Sequence, residues 1–188
     1  RNLLLKGTDP MRATAIILWM LCALPLLAAD GPRLDEVETA LRVDPRNPML
    51  HYRKCQALFA SGQEQAAIDH AAVAMKHFKA ARKELAWMRL GTLLTDNYRI
   101  EVHYNMGPQE TAEKRDGIVR PYSFRVWTKE PEPRMLRIVD FELAYSKGKV
   151  QTAALGEMQG DNHANYGTLD PKSDFATVKK KMLEVVSQ

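Results

Sequence analysis

The stretch Gly160-Asp161-Asn162-His163-Ala164-Asn165-Tyr166-Gly167 concentrates Asp, Asn, His and Tyr between two glycines, just after a predicted strand. Asp161 and His163, with Tyr166 beside them and Glu157 or His103 drawn in from elsewhere, are residue types that ligate a metal or exchange protons with a substrate. A small hydrolase or a metal-binding protein is the chemistry they allow. The same composition also builds a tight polar loop, because Asn and Asp side chains bond their own backbone and tolerate left-handed conformations. His70 and His77 lie seven apart on a predicted helix, two turns or about 10 Å, too far to share one ion. Of two cysteines, Cys22 falls in the apolar N-terminal segment, which leaves Cys55 without an internal disulfide partner once that segment is removed. Cys55 reads as a small buried helical side chain. The chain contains no phosphate loop, nucleophile elbow, His-Glu-x-x-His or Cys-x-x-Cys. No catalytic residue, metal ligand set or cofactor is therefore assigned, and the preferred reading is non-enzymatic.

Positioning falls to helices first and strands second. Leu34, Val37, Ala40 and Leu41 recur at helical spacing over 34–43, and Asp44-Pro45-Arg46-Asn47-Pro48 ends that helix. Met49–Ala60 and Glu64–His77 follow as two more helices, separated by Ser61-Gly62-Gln63. Leu85–Leu94 is expected as a fourth, with Leu90, Leu93 and Leu94 on its apolar side. From Asn97 the period changes: Tyr98–Tyr104 and Tyr122–Trp127 alternate as strands. Arg134–Tyr145 is a longer strand, Ser146-Lys147-Gly148-Lys149 a hairpin turn and Val150–Leu155 its return. Asp174–Val186 is amphipathic, with Phe175, Val178, Met182 and Val185 on one side and Asp174 as its cap. The expected fold class is α+β: a helical region over 30–96, then an antiparallel sheet domain over 97–188 with a closing helix.

Within the helical region, Trp87-Met88-Arg89-Leu90-Gly91-Thr92-Leu93-Leu94 resembles the first-helix signature of the tetratricopeptide repeat, W-x2-L-G-x2-Y, with Leu94 in the tyrosine place. Thirty-six residues back, close to the family period of about 34, His51, Cys55 and Leu58 occupy the corresponding places. Ala67, Ala71 and Ala74 fall at the family's next packing positions. His51 for tryptophan, Cys55 for glycine and Ala71 for a large residue depart from the pattern. The resemblance covers about residues 34–95 and implies a short helical hairpin array. It further implies a concave groove for an extended peptide, lined by Tyr52, Gln56, Phe59, Met88 and Thr92. Whether that groove is open or covered by the chain's own sheet stays undecided at this level.

Met11 opens a pattern of one positive residue, an apolar run from Ala15 to Leu27 and small residues Ala28-Ala29, which reads as a secretory signal over 11–29. The run is shorter than the about 20 apolar residues of a membrane span, so no stable span is expected after its removal. Residues 1–10 read as an upstream extension. Removing 1–29 takes away three basic residues and one acidic, which lowers the net charge from +4 to +2. Lys179-Lys180-Lys181 is the one compact basic run and reads as a solvated helix face, so nucleic acid is not an expected partner. The chain is expected to be exported, periplasmic or secreted, and to work as a protein–protein interaction or scaffold module with a protein or peptide partner. The alternatives are the hydrolase or metal binder above, or a carrier of an apolar or glycan ligand on the sheet. Oligomeric state is left open.

Overall fold

The computed structural model describes residues 32–83, 85–107, 116–129, 131–159 and 162–187. Among the described residues three helices come first: α1 (Leu34–Val43), α2 (Pro48–Ala60) and α3 (Glu64–Ala80). Asn47 caps α2 by accepting from the backbone N–H of Met49 at 3.0 Å and of Leu50 at 3.4 Å, and Pro48 occupies the first turn, where a missing N–H costs nothing. Gly62, at φ +79°, turns the chain between α2 and α3, and the Gln63 N–H returns to the Leu58 carbonyl at 2.9 Å. Ala67, Ala71 and Ala74 on α3 and Cys55 on α2 are all fully buried, so small side chains let the two helices approach closely.

Six strands follow: β1 (Trp87–Leu94), β2 (Tyr98–Asn105), β3 (Gly117–Thr128), β4 (Met135–Ser146), β5 (Lys149–Gln159) and β6 (Asn162–Leu169). They lie side by side in chain order, each antiparallel to the next. Lys147 and Gly148 both take positive φ at the β4–β5 turn, the conformation that a two-residue hairpin needs. Helix α4 (Phe175–Val186) ends the chain's order of elements, and Asp174 caps it by accepting from the Thr177 N–H at 2.9 Å.

Strand alternation sorts the sheet into two faces. Met88, Leu90, Ile100, Val102, Phe124, Val126, Val139, Phe141, Ala153 and Leu155 turn to the helices and join Phe175, Val178, Met182 and Val185 in one core. Helix α2 packs on β1, α4 on β5, and α4 also meets α3. The Phe175 ring lies 6.0 Å from Phe59, 5.6 Å from Tyr122 and 6.0 Å from Phe124, so hairpin, sheet and closing helix meet at one aromatic cluster. Its backbone N–H donates to the Gln65 side chain at 2.8 Å, and Lys179 donates to Glu64 at 2.5 Å. The α+β class and its order of elements are as expected.

Two boundaries differ from expectation. Leu85–Leu94 is not a fourth helix; residues 87–94 form β1, so the sheet begins at Trp87 and not at 97. Met88 and Leu90 alternate into the core, and the ladder shifts register between Arg89 and Gly91. A Cβ on Gly91 would fall inside the Phe59 ring, so this glycine admits α2 against a strand and does not mark a helix crossing. The described helices and the sheet contribute to one core cluster. The second difference is the Gly160–Gly167 stretch: from Asn162 onward it is strand β6. Gly160 and Asp161, together with the expected signal (11–29) and extension (1–10), lie outside the described residues.

Candidate functional site

The face of the sheet turned away from the core cluster bears charge where the other bears hydrocarbon. Across it, Arg89 pairs with His103, His103 with Ser123, Ser123 with Asp140, and Asp140 with Gly156. A second row runs Glu101, Arg125, Ile138, and a third Arg99, Trp127, Met135. Neighbouring strands stand about 4.8 Å apart, so the polar stripe crosses most of the sheet. Ser123 is 2% exposed, Glu142 5% and Glu101 and His103 8% each, low values for such groups on a face the core does not use.

One end of the stripe is built around a missing side chain. Glu142 on β4 and His163 on β6 reach over β5 to each other, with His163 Nε2 donating to Glu142 Oε2 at 2.8 Å. Gly156 lies beneath them; a Cβ there would stand 2.5 Å from both of those atoms. The other Glu142 oxygen accepts from Arg120 Nε at 2.8 Å, and the same nitrogen lies 3.2 Å from Asp140 Oδ2. Burial raises the Asp140 carboxyl to about 6, against the opposing pull of the Arg120 cation. Asp140 therefore exchanges its proton at mildly acidic pH, beside a His163 side chain that is about one third exposed.

At the other end Glu101 gathers two arginines and a histidine. Arg89 lies 3.7 Å from it, Arg99 3.5 Å and His103 Nε2 3.3 Å. Burial, reinforced by Arg125, holds His103 below the ordinary histidine range. The Arg99 guanidinium rests over the Trp127 ring at 5.4 Å.

The expected site residues scatter relative to these clusters. His163 joins the stripe and His103 lies on the same face, but β3, β4 and β5 separate their strands. Glu157 and Tyr166 belong elsewhere: the Tyr166 hydroxyl donates to Glu157 at 2.5 Å and accepts from Arg137 at 2.5 Å, while Arg137 also donates to the Val185 carbonyl at 3.4 Å. That group ties β4, β5 and β6 to the end of α4. Asp161 lies outside the described residues, and among those described no three His, Cys, Asp or Glu side chains are grouped to hold a metal ion.

The expected peptide groove is occupied by the chain itself. Met88 on β1 is fully buried and Phe59 on α2 is 6% exposed, both in the core, because β1 packs against α2. Tyr52 is half-buried against the same core, Gln56 donates to the Arg89 carbonyl at 3.4 Å, and Thr92 accepts from the Arg89 guanidinium at 2.8 Å. Asp140, Glu142, Arg120, Ser123 and Glu101 were not singled out from sequence. Their signal was present as charges at alternate places in otherwise apolar strands, Asp140 and Glu142 above all.

A second titratable group lies in the helices. His51 Nε2 donates to the Pro45 carbonyl at 2.9 Å, and its Nδ1 shares a hydrogen bond with His70 Nε2 at 3.1 Å. His77 stacks on His51 with centroids 3.9 Å apart. His51 thus bridges the two histidines that helix spacing alone keeps apart. Burial lowers His70 to about 4, and the neighbouring histidines and Lys54 push the same way.

No known family model matches the chain, and comparison with curated proteins and with solved structures finds no significant match. The site is therefore read from its own chemistry.

Proposed function

We propose that this chain is an exported, non-enzymatic binding protein that takes its partner on the face of the sheet that no helix among the described residues covers, called here the helix-free face. The observation that carries the reading is the inset polar stripe on that face, set among exposed apolar side chains. Ile118, Met135, Ile138 and Met158 are all exposed, and each pairs across the ladder with a residue of the helix-free face: Ala144, Trp127, Arg125 and His163. Mixed apolar and charged surface of this kind is the composition of a binding face. The helical hairpin serves in this reading as a cover for the opposite face, its tetratricopeptide-like small residues setting how closely the helices pack. Export rests on the pattern at Met11–Ala29.

The test is native mass spectrometry of the protein isolated from its own cells, beside Ile138→Asp. The expected result is a bound species on the wild type that is lost from the variant while its circular dichroism is unchanged. An adduct retained equally by both would move binding off this face.

Asp140 favours a second reading, acid–base chemistry with Arg120, Glu142 and His163 around a carboxyl that titrates at mildly acidic pH. Turnover of any ester or glycoside substrate that vanishes in Asp140→Asn would establish it. Turnover that is unchanged in Asp140→Asn would exclude this carboxyl.

A further inference from the structure

Three N–H donors on the helix-free face are buried without an acceptor: Nε of Arg99, Nε of Arg125 and Nε1 of Trp127. They are neighbours. Arg99 and Trp127 pair directly across β2 and β3, and Arg125 stands two residues before Trp127, opposite Glu101. Glu101 does not neutralise Arg125; its contacts go to Arg89, Arg99 and His103. Arg125 itself makes no hydrogen bond or ion pair among the described residues. This end of the face thus holds three guanidinium groups around Glu101, while Asp140 on β4, which also feels the Arg125 charge, makes its ion pair with Arg120. A buried donor left unpaired is costly, so three unpaired neighbours are an unusual concentration.

We infer that this corner is the headgroup subsite of the binding face, and that its ligand is a carboxylate carried on an apolar chain. The inference rests on the face reading above and names its ligand class. Charge complementarity selects an oxyanion, and an arginine Nε–H with the adjacent Nη–H is the fork that holds a carboxylate through two parallel bonds. Met135 lies directly opposite Trp127 and Ile138 directly opposite Arg125, both exposed, so the surface beyond the fork is apolar and suits a hydrocarbon chain better than a sugar. The subsite is closed by its own side chains, Arg99 lying over the indole at 5.4 Å. Opening it takes rotation of arginine side chains and no backbone movement. On binding, Arg99 leaves the ring and Trp127 changes environment.

That change supplies the readout. In the full chain with Trp19→Phe and Trp87→Phe, Trp127 is the remaining tryptophan. Its fluorescence is titrated with octanoate, acetate and inorganic phosphate, each repeated on Arg125→Met, which keeps the aliphatic stem, on Arg125→Lys, and on Lys180→Met on α4 as a control. The expected result is saturable binding of octanoate, at least about tenfold weaker in Arg125→Met, partly restored in Arg125→Lys and unchanged in Lys180→Met. Acetate and phosphate are expected to bind at least about tenfold more weakly than octanoate. Equal octanoate affinity in the parent and Arg125→Met overturns the headgroup assignment. Phosphate or acetate binding as tightly as octanoate overturns the apolar chain. No saturable octanoate binding, with a native adduct still lost in Ile138→Asp, overturns the carboxylate and leaves the face reading standing; an adduct retained in Ile138→Asp overturns the face itself.

Discussion

At Gly156 the absence of a side chain is what allows Glu142 and His163 to meet across an intervening strand. Gly156→Ala is expected to part that pair and to lower stability by on the order of 1 kcal/mol, since His163 is partly solvated. Loss of the His163 ring's carboxylate contact, followed by NMR, checks it; unchanged imidazole ring chemical shifts would contradict it. Asp140 makes a pH prediction of definite sign. Its carboxyl is raised from 3.8 to about 6 on folding, so the stability it contributes is full below pH 3.8 and is lost as pH rises through 6. Asp140→Asn, which cannot ionise, is expected to gain melting temperature relative to wild type between pH 4 and 7. A constant difference across that range would contradict the burial account. His163 was legible in sequence as a residue that could do chemistry, but its partners were not. Glu142 stands 21 positions away and is brought close by the β4–β5–β6 meander, a long-range pairing that local spacing does not encode.

Among elements, the helices of the hairpin and α4 were legible from their apolar spacing, and α2 and α4 also carry a capping residue, Asn47 and Asp174. β1 was not. Trp87, Leu90 and Leu94 stand at helix-like intervals, yet the ladder with β2 and the burial of Met88 and Leu90 by α2 decide for a strand. The tertiary partner Phe59 explains Gly91 better than the repeat signature does. Gly91→Ala is expected to cost about 1–3 kcal/mol by pushing the Phe59 ring, measured by denaturant unfolding. A cost no greater than that of a surface substitution would contradict that packing. The histidine cluster makes α2, α3 and the Pro45–Arg46 linker acid-sensitive. His70 and His77 are both lowered by burial, and the charged neighbours acting on them are the cations Lys54 and Arg46. The folded state therefore favours neutral imidazoles, and its stability, full above about pH 6.5, declines as pH falls toward about 4, where His70 titrates. His70→Gln, which retains a hydrogen-bonding partner for His51, is expected to flatten that decline relative to wild type. Parallel melting curves for the two proteins over pH 6.5 to 4 would contradict it. The decline runs opposite to the Asp140 effect, so the two variants separate the contributions.

For the molecule as a whole, the division of labour follows from which face of the meander the helices cover. One face and all the helices enclose the core; the other carries paired charges, an aromatic–arginine stack and exposed apolar residues. No helix among the described residues is long and apolar enough to cross a membrane. The measurement that tests the central claim most directly is methyl NMR of the protein, with isoleucine and methionine methyls labelled, in unlabelled extract from its own cells. The account predicts shifts or broadening at Ile118, Met135, Ile138 and Met158 on the helix-free face, with Met49, Ile68 and Met75 on the helices unmoved. Changes confined to the helical methyls, with Ile138 and Met135 undisturbed, would contradict it.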